Sequence, residues 1–89
     1  MVQVTEAVQR SRTYLGEVFP ALKDQALQLE GVELSDDGQF WYVTFSYIEF
    51  PMVDATGVPM YPSYKTIKVR AEDGQFYGAR NGLASVGLM

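Results

Sequence analysis

Phe40-Trp41-Tyr42-Val43-Thr44-Phe45-Ser46-Tyr47-Ile48 is the stretch whose reading decides how this chain folds. It is rich in aromatic and β-branched residues, the types that fit a pleated surface, and neither Gly nor Pro interrupts it. Side chains of a strand alternate, so Trp41, Val43, Phe45 and Tyr47 share one face while Phe40, Tyr42, Thr44 and Ser46 share the other. Aromatics on both faces predict a central strand, covered at least in part on each side.

Working outward, Ser35-Asp36-Asp37-Gly38 is a tight-turn sequence. Before it, Leu27 and Leu29 alternate with Gln28 and Glu30, and after Gly31 the phase flips so that Val32 and Leu34 alternate with Glu33. A glycine at a one-residue slip predicts a β-bulge. Downstream, Tyr64 to Ala71 is a clean alternating strand with Ile67, Val69 and Ala71 inward and Thr66, Lys68 and Arg70 outward. Glu72-Asp73-Gly74 turns it, a short strand returns over 75–80, and Asn81-Gly82 ends that strand.

Upstream of the strands lies a helix over 5–19, with Thr5 as its expected cap and Pro20 as its stop. Ala7, Val8, Ser11, Leu15, Val18 and Phe19 recur at helical spacing and predict a core-facing stripe. Gly16 costs about 1 kcal/mol relative to Ala inside a helix, so either the helix ends early or something packs closely there. The expected architecture is a single α+β domain over 1–89. Its N-terminal helix packs on a four-stranded antiparallel meander with strands near 27–34, 40–48, 64–71 and 75–80. A long loop spans 49–63, and an apolar tail spans 82–89.

Two turns are nearly alike, Asp36-Asp37-Gly38-Gln39-Phe40-Trp41 and Glu72-Asp73-Gly74-Gln75-Phe76-Tyr77. Convergence on good hairpin chemistry is favoured over duplication, because hairpins select Asp-Gly strongly. The order of a helix, a Trp-containing central strand and a strand running into an acidic Gly turn (YKTIKVRAEDGQFYG) resembles the PepSY domain. That family's final hairpin reads Val-x-Asp-Ala-x-Thr-Gly-x-Val. Here Val69-Arg70-Ala71-Glu72-Asp73-Gly74 keeps the strand, the Ala and the Gly, but Arg70 stands where Asp is usual and Asp73 where Thr is usual. Asp54-Ala55-Thr56-Gly57-Val58 matches the string better, inside the long loop. PepSY domains are usually extracytoplasmic and are thought to inhibit or chaperone peptidases. The resemblance implies such a role and carries over no catalytic residue.

Composition narrows the chemistry. At 89 residues, with 47% hydrophobic and 20% charged, the chain is a small core-former rather than a disordered tail. It has no Cys and no His, which removes disulfides, thiolate nucleophiles, Cys/His zinc sites and any imidazole base. No enzyme activity, cofactor or metal is expected. The N-terminus shows no basic region followed by an apolar run, and no stretch approaches membrane-span length, so a soluble, cytoplasmic protein is the expectation. Asp36/Asp37 and Glu72/Asp73 are paired carboxylates on exposed tips, where an ordinary pKa of about 4 is expected, unsuited to base catalysis at neutral pH.

The net charge of −4 is unevenly laid out. Residues 24–57 hold seven acids (Asp24, Glu30, Glu33, Asp36, Asp37, Glu49, Asp54) and no base, whereas 58–89 hold Lys65, Lys68, Arg70 and Arg80 against Glu72 and Asp73. One reading has acids of the first strand facing bases of the third; the other has an acidic patch meeting a basic partner. A structureless 15-residue connection is uncommon in a compact domain and often functional. Phe50, Met52, Met60 and Tyr61 in it are interface-anchoring types, unless they only cap the open end of the sheet. With Lys68 and Arg70 they form the expected partner-binding set. The function expected first is a non-enzymatic protein-interaction module for a partner or a second copy, in the manner of an inhibitor, immunity protein or antitoxin. The alternative is single-stranded nucleic-acid binding by a basic-aromatic sheet face in which Lys68, Arg70 and Arg80 join Tyr42, Tyr64 and Phe76.

Overall fold

A computed structural model of the chain describes residues 1–23, 26–47 and 62–82. Helix α1 (Val4–Val18) leads into a 3₁₀ turn at Pro20–Leu22, followed by strands β1 (Gln28–Leu34), β2 (Phe40–Tyr47), β3 (Ser63–Arg70) and β4 (Phe76–Asn81). The sheet is antiparallel throughout in the order β1-β2-β3-β4, the α+β meander that the alternation predicts. Most of the expected element boundaries agree to within a residue. Ile48 and most of the loop and tail lie outside the described residues.

The helix buries its stripe against the sheet. Ala7, Ser11 and Leu15 of α1 are fully buried, and they meet a layer of Val43, Phe45 and Tyr47 from β2 with Ile67 and Val69 from β3. Val18, expected in that stripe, is exposed. The helix starts at Val4 with Gln3 as its N-cap, and no side chain caps it, contrary to the role expected of Thr5. Tertiary contacts hold this end instead. Val2 N–H donates to the Ala71 carbonyl at 2.6 Å, and the Trp41 indole N–H donates to the Val2 carbonyl at 3.0 Å. The segment before the helix is thereby tied to both β2 and the β3–β4 turn. At the other end Gly16 marks a close approach, since Lys23 carbons stand 3.8–4.0 Å from where a Cβ would be. The 3₁₀ turn folds back onto the helix there.

Gly31 does sit at a bulge. The β1–β2 register slips between Leu29 and Gly31, so Leu29 opposes Phe45 while Val32 opposes Val43, both on the helix side. The inserted residue is Glu30, and its carboxylate accepts the Ser46 hydroxyl at 2.5 Å on the opposite face.

The twin hairpin tips are built alike. Gly38 and Gly74 adopt φ of 73° and 75°, the left-handed region that glycine enters without strain. In each turn the preceding Asp accepts the backbone N–H two residues on, Asp37 from Gln39 at 3.0 Å and Asp73 from Gln75 at 3.1 Å. The tips lie together, because Ala71 N–H donates to the Gln39 carbonyl at 2.8 Å.

A candidate interaction face opposite the helix

Register places side chains on the face away from α1 in rows. Glu33, Tyr42, Lys68 and Gly78 form one row from β1 to β4, and Thr44, Thr66 and Arg80 belong to the next. The acids of β1 do not face the bases of β3, because β2 stands between them. The expected cross-strand pairing is thereby corrected. The face is polarised, with Glu30 and Glu33 along β1 and Lys68, Arg70 and Arg80 on β3 and β4.

Aromatic rings fill the ground between. The Lys68 ammonium lies 4.1 Å from the Phe40 ring centroid, 5.8 Å from that of Tyr42 and 6.0 Å from that of Tyr77. The Arg80 guanidinium stands 5.9 Å from the Tyr42 centroid, so two cations converge on one ring. Phe40 and Tyr77 pack with centroids 4.9 Å apart at an interplanar angle of 60°.

Tyr77, not Phe76, is the aromatic that β4 contributes. Register slips between Lys68 and Val69, which oppose Gly78 and Phe76 respectively, and Tyr77 is the inserted residue. Phe76 turns to the helix side and packs on Tyr14 with centroids 5.3 Å apart. Simple alternation misses Tyr77; Gly78 inside the strand is the signal that could have found it, as Gly31 did in β1. Phe40 was also absent from the expected set. Tyr64 lies on the face but opposite Ser46, two rows from Lys68.

The three cations are not equivalent. Arg70 is held by Asp73, with Nε to Oδ1 at 3.1 Å and Nη2 to Oδ2 at 2.5 Å, and its Nη2 also reaches the Gln75 side-chain oxygen at 3.3 Å. The Arg70 contact, with the Gln75 N–H, holds the Asp73 carboxyl at a pKa of about 2. Asp37 is also lowered, first by the Ser35 hydroxyl and then by the Gln39 N–H. Both tip aspartates therefore depart from the ordinary value expected of them, in the direction of weaker bases. Among the described residues the ion pairs are Glu6–Arg10 and Arg70–Asp73, so Lys68 and Arg80 carry no carboxylate partner. Between those two side chains lies a depression of about 200 Å³ lined by Tyr42, Thr66, Lys68, Gly78 and Arg80. It exists because Gly78 has no side chain, and nothing stands within 4 Å of where its Cβ would be.

Of the expected partner-binding residues, Lys68 and Arg70 share this face, and Phe50, Met52, Met60 and Tyr61 lie outside the described residues. Among the described residues no cluster of three or more acidic, His or Cys side chains could hold a metal ion, and no helix is long and apolar enough to cross a membrane. No protein-family model, curated protein or solved structure matches the chain.

Proposed function

We propose that this chain is a small, non-enzymatic protein-interaction module that binds through the sheet face opposite α1. An inhibitor, immunity protein or antitoxin would present such a surface. One observation carries the reading: half-exposed Phe40 and Tyr42, with Tyr77 52% exposed, surround Lys68 and Arg80, which form no ion pair among the described residues. Aromatic residues and arginine are what interfaces concentrate, and a cation without an ion pair beside them suits an external counter-charge. The PepSY-like pattern supports the same class of role, because that family is thought to inhibit or chaperone peptidases.

The test is affinity capture from the native source with the wild type and with the double variant Tyr42→Ala/Tyr77→Ala. One polypeptide should copurify with the wild type and be lost from the variant, whose fold is checked by circular dichroism. Retention of that polypeptide by the variant would refute the face as the binding surface.

The Tyr42 ring between Lys68 and Arg80 also favours a second reading, single-stranded nucleic-acid binding by stacking between cations. That reading requires a labelled oligonucleotide to bind with affinity falling steeply as salt rises. Glu30 and Glu33 on the same face, and the net charge of −4, oppose a polyanion.

A further inference from the structure

The face is complementary to itself, and its register says how. A two-fold axis lying between two facing sheets and running along the strands, midway between β2 and β3, carries β1 of one copy over β4 of the other. Each residue keeps its height along the strand under that rotation. Glu33 shares its row with Gly78, so it arrives over the partner copy's Gly78, beside Lys68 and Arg80. Tyr42 likewise arrives over the partner copy's Lys68. A two-fold axis across the strands would instead stack β1 on β1 and set acid against acid. The acidic and basic halves thus select one orientation.

We propose that the occupant of this face is a second copy of the chain, in an isologous dimer whose Glu33 carboxylate enters the depression over Gly78. The proposal rests on the reading of the face as an interaction surface and names its partner. Glu33 and Arg80 are both exposed, so the pair is available across an interface. Facing sheets usually cross at about 30°. At about 7 Å from the axis that rotation moves Glu33 roughly one residue along β4, which leaves it beside the cations that converge on the Tyr42 row. Strands about 4.8 Å apart and about 23 Å long bound the face at about 400 Å² per copy, and Thr44, Ser46 and Thr66 on it are already buried within the chain, so the open area is smaller still and falls in the range of weak, transient association. The dimer therefore exchanges with monomer as concentration changes.

The experiment is sedimentation velocity on the full chain from about 10 µM to about 1 mM, a range suited to weak association. The wild type should shift from monomer to dimer, with affinity falling as salt rises. Glu33→Lys and Arg80→Glu, each at an exposed site, should each raise the dissociation constant at least about tenfold, since each sets like charges together twice per dimer. Mixing the two variants should restore association, because both contacts of the heterodimer are then opposite in sign. The double variant Glu33→Lys/Arg80→Glu should self-associate again. A wild type that stays monomeric at the highest concentration overturns the proposal, as does a dimer indifferent to the reversals or a mixture that fails to recover. A monomer that still captures a different polypeptide through Tyr42 and Tyr77 would leave the module reading standing while removing the second copy as its partner.

Discussion

Thr44 and Thr66 lie opposite each other in β2 and β3, 4% and 2% exposed, and their hydroxyls are 3.0 Å apart. The Thr66 hydroxyl also donates to the Gly82 carbonyl at 2.9 Å. A hydroxyl has one proton, so Thr66 spends its own on Gly82 and Thr44 must donate to Thr66. This polarity makes two chemically identical substitutions unequal. Thr44→Val removes a donor and strands nothing, so its cost is one hydrogen bond offset by a buried methyl, about 1 kcal/mol or less. Thr66→Val strands both the Thr44 hydroxyl and the Gly82 carbonyl, at about 2–3 kcal/mol. The double variant strands only the carbonyl, so Thr44→Val becomes stabilising once Thr66 is gone. Val and Thr are both β-branched, which keeps strand propensity nearly constant. The assay is urea unfolding followed by fluorescence of Trp41, the single tryptophan, at one fixed protein concentration. The expected order of stability is wild type, Thr44→Val, double variant, Thr66→Val. If Thr44→Val costs as much as Thr66→Val, or the double variant is the least stable, the inferred hydrogen-bond chain is wrong.

Gly16→Ala should stabilise the fold by about 0.5–1 kcal/mol in the same urea assay, because Gly16 is helical and the Lys23 carbons leave ordinary contact distance for a methyl. Destabilisation would mean that the 3₁₀ turn needs a closer approach. Ser11 is fully buried in the helix stripe and its hydroxyl has no hydrogen-bond partner; Ser11→Ala should be stabilising by about 1 kcal/mol, read as a raised urea midpoint. Asp73 has a folded pKa of about 2, below its unfolded value of about 3.9, so its contribution is full above pH 4 and is lost as pH falls toward 2. Asp73→Asn should flatten the fall of stability over that window; an unchanged slope would remove Asp73 from the acid response.

Periodicity is a local property, and the features it carries were legible. The helix, the four strands, their meander order and the bulge at Gly31 all follow from alternation, turn chemistry and Pro20. What eluded it depends on which segments meet. Thr5 is a sound cap by residue type, but Val2 reaches Ala71 and Trp41 first, and that pinning starts the helix at Val4. The acid–base pairing failed because β2 separates β1 from β3.

The interaction face shows the same division. Its cations could be named from the chain, since Lys68 and Arg80 sit at outward positions of recognisable strands. Its aromatic partner on β4 escapes simple alternation, because one inserted residue exchanges Phe76 for Tyr77 between faces. The sequence by itself determined the helix-and-meander plan, because hydrophobic period and turn residues act over a few neighbours. Only the tertiary structure decided that Glu33 shares a row with Tyr42, Lys68 and Gly78, because that register is set by pairing across four strands and by the slip in β4. That row makes one half of the face the counterpart of the other.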